Sequence, residues 1–229
     1  MNNMSYLWNK FNIKTMPAET LVYCDGLFHD ELSTLKNCDI SQKYDLPVHI
    51  IYLGEIDNEH TLNININVDD QPVFLTVNIE NKKPAFLNIF IKNTGKNSEL
   101  RGHILLKNYS DLVFNCEAQH KESNTGILLQ TKLIGFANSF SKLSGTAIIN
   151  KNCENTKSDI SFAGLVDKTA RVKFRPTQKI MSVPDKAEHS AYMFHGSDAQ
   201  INYLRSSGLG TQEVTQVLNE AFMNDFNLF

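Results

Sequence analysis

The sequence lacks the features that mark several large classes of protein. Its 229 residues contain no run of 18 apolar residues, so the sequence does not predict a membrane-spanning helix. Residues 1–17 show no basic segment followed by an apolar one, so we expect no secretory signal. The net charge is −3, and this gives no overall excess of positive charge for binding nucleic acid. We therefore expect a cytoplasmic protein that binds neither membrane nor nucleic acid.

Cysteine is scarce and scattered. The four cysteines are Cys24, Cys38, Cys116 and Cys153, and none belongs to a C-x-x-C or C-x-x-H pair. The spacing of zinc-binding modules is therefore absent, and four scattered thiols do not make an iron–sulfur cluster site. Without a secretory signal, free buried thiols are the expected state.

Motifs of several enzyme classes are also missing. The sequence has no G-x-S-x-G and no H-E-x-x-H motif. Gly95-Lys96 is similar to the end of a phosphate-binding loop, but that motif needs a glycine five positions earlier, where Phe90 stands. We interpret this segment as a turn, and we do not expect the chain to be an enzyme.

The chain has instead a long series of short β-segments, from Pro47 to about Ile180. In residues 61–68, apolar residues alternate strictly with polar ones, which predicts a half-buried strand. Turn residues separate the segments every ten residues or so, and no helical pattern intervenes, which excludes βαβ units. A sandwich, a barrel and a β-helix all fit this spacing.

The flanking regions predict other elements. Residues 1–20 are expected to form a short helix or arm, residues 21–28 a hairpin, and residues 30–35 a helical turn. The β-region is expected to end at Glu188-His189, followed by a polar connector. Residues 198–229 predict two helices separated by Gly208 and Gly210, with Thr211 as the N-cap of the second. The expected divisions are residues 1–46, 47–197 and 198–229.

The segment from Pro176 to Phe222 resembles the C-terminal core of the SufB/SufD family, the scaffold proteins of the SUF iron–sulfur cluster assembly system. Residue types agree with the family pattern from Pro176 to Phe222 without a gap. The matching positions are Pro176, Ile180, His189, Ala191, Tyr203, Leu204, Arg205, Ser206, Gly208 and Phe222.

The resemblance implies both a fold and a function. The implied fold is a right-handed parallel β-helix with a short N-terminal segment and C-terminal helices, in which stacked outward asparagines such as Asn63 can pair. The implied function is that of a SufD-like, non-catalytic scaffold, which works with a SufB-type scaffold and a SufC-type ABC ATPase. Pairing with a second copy stays open. Iron or an iron–sulfur cluster would be held only transiently, in the complex.

The resemblance also implies candidate site residues. His189 matches the family's interface histidine and Glu188 precedes it, so both are candidates for the interface or for handling iron, with His189 as the candidate metal ligand. Two positions depart from the family, because Ser190 replaces a SufB glutamate and Ala187 replaces a SufD cysteine. No cysteine occurs in residues 156–162, where the SufB cysteine would lie. The ATPase-docking candidates are Tyr203, Leu204, Arg205, Ser206, Gly208 and Phe222.

Alternative interpretations stay open from the residues alone. The chain could be a structural or adhesive β-domain without such partners. A carbohydrate-active β-helix enzyme would need clustered carboxylates and aromatic platforms, which the β-region does not show. Glu188 and His189 also fit a surface pair at a strand end, and Tyr203, Leu204 and Phe222 also fit simple packing against the β-region.

Overall fold

The computed structural model describes residues 20–24, 27–28, 48–56 and 60–224. Within these ranges the chain forms thirteen strands followed by two helices. Two predicted elements lie outside the described residues: the helix or arm of residues 1–20, of which only Thr20 is described, and the helical turn of residues 30–35. The elements are β1 (Thr20–Cys24), β2 (Leu27–Phe28), β3 (Val48–Ile56), β4 (His60–Val68), β5 (Pro72–Asn81), β6 (Ala85–Asn93), β7 (Glu99–Asn108), β8 (Asp111–His120), β9 (Gly126–Gly135), β10 (Phe140–Ile149), β11 (Lys157–Val166), β12 (Arg171–Ile180), β13 (Lys186–Phe194), α1 (Asp198–Ser206) and α2 (Thr211–Asn224).

From β3 onward, the chain alternates between two sheets. Sheet A has the order β2-β1-β3-β5-β7-β9-β11-β13, and sheet B has the order β4-β6-β8-β10-β12. Strands two apart in the chain pair in parallel, so Val48 lies beside Val73 and Gly126 lies beside Lys157. This topology is a parallel β-solenoid of about five turns, and it confirms the predicted β-helix with C-terminal helices. The predicted hairpin is also confirmed, because β1 and β2 pair antiparallel.

We call each strand of sheet B, together with the following strand of sheet A, a rung. The in-register pairing stacks the inward side chain of one rung on the inward side chain of the next. Leu87, Phe114 and Leu143 form one such column, and each is fully buried. The ring of Phe114 meets that of Phe162 from the opposite sheet edge-to-face, with centroids 6.4 Å apart. Period-two patterning therefore fills the space between the sheets, as the hydrophobic effect requires.

Asparagine columns run along the solenoid outside and inside. On the outer face of sheet B, Asn115 donates to Asn88, and Asn88 donates to Asn63, each at 2.9 Å. In the interior, Asn81 Nδ2 donates to Asn108 Oδ1 at 2.7 Å. Identical amides in register can satisfy one another in this way. The expectation that outward asparagines such as Asn63 pair with stacked neighbours is confirmed.

The end of the β-region differs from the prediction. We expected it to end at Glu188-His189, but β13 continues to Phe194. Ser197 then caps α1 in a capping box with Gln200. The chain leaves α1 through Gly208, whose φ of 90° lies in the region that glycine adopts without steric cost. The predicted separation of two helices at Gly208 and Gly210 is confirmed.

The second helix begins one residue earlier than predicted, and it packs on sheet A. Gly210, not Thr211, holds the cap position: its carbonyl accepts the Val214 N–H at 3.0 Å, and its N–H donates to Glu213 Oε2 at 2.7 Å. At the other end of α2, Phe222 is buried in a second apolar cluster. The buried members of that cluster are Leu105, Ile134, Ala163, Leu165 and Phe222.

Candidate functional site

The last rung, formed by β12 and β13, has open edges, and we call it the terminal rung. No strand in the described part of the chain pairs with the outer edge of either one. The N–H groups of Arg171 and Met181 donate to carbonyls of the preceding rung, each at 2.9 Å. Backbone groups alternate along a strand, so the even-numbered N–H groups of β12 point to its free edge. Pro176 is one of these positions and has no N–H to offer.

The edge of β13 is different because it contains no proline. Lys186 N–H donates to Thr156 O of the preceding rung at 3.1 Å. By the same alternation, the odd-numbered N–H groups of β13, including that of His189, point to the free edge. An unpaired row of this kind is a template for an added strand.

His189 holds an inward position of the terminal rung and is nevertheless exposed. It lies in register with Ile160, which is only 2% exposed and belongs to the main core. A recess of about 380 Å³ opens beside His189, and Gln178 contributes to its wall. The Nε2 atom of Gln178 is buried there without a hydrogen-bond partner. Asp159 and Glu188 also line this recess, so it offers an imidazole, an unused amide donor and two carboxylates to whatever covers the terminal rung.

Glu188 does not act together with His189 within the strand. Successive side chains of a strand point to opposite faces, so Glu188 lies on the outer face of sheet A. There its Oε2 atom is 2.9 Å from Lys186 Nζ, and it lies in register beside Asp159. Burial raises the pKa of Asp159, the Lys186 ammonium lowers it in part, and the Glu188 carboxylate raises it further. The sequence-adjacent acid and imidazole therefore start from opposite faces of β13, although both line the recess.

Metal-binding groups are sparse in the described ranges. Residues 20–24, 27–28, 48–56 and 60–224 contain no group of three or more His, Cys, Asp or Glu side chains placed to hold a metal ion. Cys116 and Cys153 are free and buried, as the sequence predicts. Burial raises the pKa of Cys116 to about 12, so its thiol stays protonated near neutral pH. The cysteine-free residues 156–162 fall largely in β11, beside β13.

The ATPase-docking candidates separate into two groups. Tyr203 is 72% exposed, Arg205, Ser206 and Gly208 are also exposed, and Leu204 is half-buried. Phe222, in contrast, is only 6% exposed and packs on sheet A, so it presents little surface to a partner. The exposed candidates lie on α1 and at its C-terminal end.

Sequence reasoning missed Lys132, the residue that fixes the end of α2. Lys132 is 2% exposed, its Nζ donates to the carbonyl oxygen of Phe222 at 2.6 Å, and it lies 5.0 Å from the centroid of the Phe222 ring. A cation near the last carbonyls of a helix also interacts favourably with the helix dipole. No local pattern signals this contact, because its partners are 90 positions apart.

Comparison with known proteins identifies one family. The family model described as "SUF system FeS cluster assembly, SufBD core domain" matches residues 61–222, which is more than two thirds of the chain. The matched region covers the strands from β4 to β13, all of α1 and most of α2. No curated protein matches the chain. None of the helices in the described residues is long and apolar enough to cross a membrane.

Proposed function

The chain belongs to the SufBD core-domain family of the SUF iron–sulfur cluster assembly system, and on that premise we propose that it is a SufD-like, non-catalytic scaffold subunit. The observation that carries the proposal is the open terminal rung. His189 stands exposed there at an inward position, while its register neighbour Ile160 is buried. A rung that keeps an inward side chain exposed is suited to being covered by another subunit.

The partner at the terminal rung is a SufB-type scaffold. Exposed apolar side chains lie at the corner between β12 and β13, at Ile180, Met181 and Val183. Apolar groups gain free energy when a partner removes them from water, and the backbone donors of β13 can pair with a partner strand. Apolar contact and strand pairing together provide an interface of the kind that stable complexes use.

Iron or an iron–sulfur cluster is the cargo of this interface. His189 supplies an imidazole, which is a competent iron ligand, and Gln178 supplies an amide donor beside it. Ala187 and Ser190 replace residues that would add a thiolate or a carboxylate. The recess has no thiolate, and its imidazole and carboxylates are not grouped to hold a metal ion, so the SufB-type scaffold completes the site and the cargo is held transiently.

The ATPase partner is a SufC-type subunit that docks on α1. Tyr203 and Arg205 are exposed, and aromatic residues and arginine are enriched among the residues that dominate interface energies. The chain has no phosphate-binding loop of its own, so nucleotide hydrolysis is supplied by the ATPase.

Co-expression with the SufB-type scaffold and the SufC-type ATPase of the same organism tests the proposal. We expect the tagged chain to recover both partners. Arg205→Glu should reduce recovery of the ATPase about tenfold or more and leave recovery of the scaffold unchanged, because the charge on α1 is reversed while the terminal rung is intact.

Lys151→Glu is the matched control, because Lys151 is exposed in a turn away from α1. It should recover both partners as the unmodified chain does. Recovery of neither partner by the unmodified chain would reject the scaffold role and favour a structural β-domain. Full recovery of the ATPase by Arg205→Glu would show that Arg205 is not part of the docking surface.

A further inference from the structure

Positive charge is concentrated on the outer face of the last two strands of sheet B. Lys142 of β10 lies in register beside Lys173 of β12. Arg171, Arg175 and Lys179 lie on the same face of β12, because alternate residues of a strand share a face. All five side chains are exposed. We call these five residues the basic stripe.

The basic stripe is not neutralised by the described part of this chain. None of its members forms an ion pair there, and neither β10 nor β12 contains an Asp or a Glu. The acids nearest in register, Asp111 and Glu117, belong to β8, on the far side of β10. Like charges directly opposite each other destabilise a sheet. The fold therefore retains a repulsion that the described residues do not relieve.

The residues of β12 that alternate with the basic stripe pack against the core. Val172 and Phe174 point inward and pack against the main core. The Phe174 ring stacks on Phe162 with a centroid distance of 5.7 Å. The strand therefore packs firmly on the core. Arg171, Lys173 and Arg175 face outward at intervals of about 6.6 Å, and Thr177 separates them from Lys179.

We infer that the basic stripe receives an acidic strand or edge of a different protein chain when the terminal rung is covered. This rests on the proposed scaffold role and adds the chemistry of the partner. Acidic side chains at alternate positions of an extended segment have the same spacing as the stripe. A segment lying along β12 can therefore place one carboxylate near each cation, which favours binding and fixes its register.

The terminal rung of a second copy does not carry the required charge. If the β12 strands of two copies met, each would bring four further cations to the same face. If β12 met β13 of a second copy, it would find Glu188, which is already paired with Lys186 on the same strand. Neither terminal strand carries surplus acid, so the homodimer that the sequence leaves open is disfavoured and a heterologous partner is selected.

Charged edge strands can also serve only to prevent aggregation. That role needs charge of either sign, so a variant with glutamates in the stripe would protect the edge equally well. It also predicts no dependence of partner binding on the sign of the charge. The two explanations therefore differ in what charge reversal does.

The experiment compares two variants with equal change in net charge. Lys173→Glu/Arg175→Glu reverses the centre of the stripe. Lys92→Glu/Lys121→Glu, at two exposed positions away from the terminal rung, is the control. Each is titrated with the SufB-type scaffold of the same organism at about 50 and about 300 mM salt. We expect the stripe variant to bind about a hundredfold more weakly at low salt, and the control to bind within about twofold of the unmodified chain.

The outcomes separate this inference from the scaffold role. No binding of the scaffold by the unmodified chain, at either salt concentration, overturns the scaffold role and this inference with it. If the stripe variant binds the scaffold as tightly as the unmodified chain does, only the inference is overturned. Sedimentation of the unmodified chain alone should show monomers. A mixture of the unmodified chain and the stripe variant that associates at low salt supports the inference.

Two further results would overturn it. One is a salt-resistant homodimer of the unmodified chain that the stripe variant retains, because a second copy would then cover the rung despite its charge. The other is tight binding of a single-stranded DNA oligonucleotide at physiological salt that the stripe variant loses. That result would identify the stripe as a nucleic-acid surface instead of a protein-binding one.

Discussion

The inner rungs and the terminal rung share one register but differ in what covers them. Ile149 and Ile180 are paired inward residues of neighbouring strands, yet Ile149 is 1% exposed and Ile180 is 46% exposed. Ile160 and His189 show the same contrast in the other sheet. Backbone pairing is the same in both regions, so the contrast arises from the missing neighbour on one side.

This difference indicates what each region contributes. Many inward residues of the inner rungs are large and apolar, and their burial stabilises the fold. Those of β13 are Ala187, His189, Ala191 and Met193, which offer less apolar area. A strand with little to bury loses little stability when its edge stays open, so β13 can be devoted to binding.

The sharpest test of the inner rungs is Phe162→Ala. Phe162 is fully buried and contacts Phe114 and Phe174. We expect the free energy of unfolding to fall by about 3–5 kcal/mol, because the substitution removes buried area and leaves a cavity. Denaturant titration measures this. Tyr192→Ala, on an exposed position of β13, should cost about 1 kcal/mol or less. Equal losses would contradict the contrast between the two regions.

A pH titration tests a second inner position, His120. Its Nδ1 lies 2.8 Å from Thr125 Oγ1, and Thr125 donates its proton to Glu122 O, so the imidazole Nδ1 donates to Thr125. Its Nε2 is buried without a partner. Burial lowers the pKa of His120 to about 4.

The unfolded chain therefore binds a proton near pH 6.5, while the folded chain does so only near pH 4. The contribution of neutral His120 to the free energy of unfolding is fully present above about pH 6.5. It is lost as the pH falls towards 4, by about 3 kcal/mol in total. Burial also lowers the pKa values of His49 and His103, so the test is the difference between the unmodified chain and His120→Asn. An identical pH dependence in both would exclude this role of His120.

A third test concerns the helix that covers sheet A. Lys132→Met keeps the length of the side chain and removes its hydrogen bond to Phe222 O. We expect a loss of about 2 kcal/mol, since hydrogen bonds to charged groups contribute about 1.5–3 kcal/mol. Hydrogen exchange should accelerate in α2 more than in sheet B. Lys157→Met is the control, because Lys157 is exposed and its pair with Asp185 is also exposed. Unchanged protection of α2 would contradict the anchoring role of Lys132.

The smallest effect on stability is expected for His189→Ala. The unfolding free energy should change by less than about 1 kcal/mol, because the side chain is exposed. Ile160→Ala, in the same column one rung earlier, should cost about 2–5 kcal/mol. In reconstitution, His189→Ala should lower the yield of iron or cluster only when both scaffolds are present. An unchanged yield would show that His189 has no part in handling iron.

The alternating pattern in the sequence predicted the strands well but not how they pair. Residues 61–68 alternate in the same way in a sandwich as in a solenoid, because both have one buried face. The solenoid differs from a sandwich in its strand pairing, in which Leu62 lies beside Leu87. The residues near Leu62 in the sequence do not indicate a partner 25 positions away. The resemblance to a family supplied the choice that periodicity could not.

The site was less predictable because the terminal rung departs from burial patterning. Residues 190–192 are exposed and do not alternate between apolar and polar, so β13 was expected to end at His189, although Phe194 at its end packs on Phe222. The basic stripe was visible as cations at Arg171, Lys173 and Arg175, but the net charge of −3 concealed it. Charge summed over the whole chain does not show how charge is distributed over a face.

Pro176 affects how further strands can add to the open end of the solenoid. A parallel coil is a potentially endless template, because each rung presents its successor with an unpaired ladder, and copies stacking head to tail would form a fibre. At Pro176 the edge of β12 lacks one donor, so no added strand can complete an unbroken ladder along sheet B. An added strand therefore pairs less completely with β12 than with β13, which disfavours continuous head-to-tail stacking of copies.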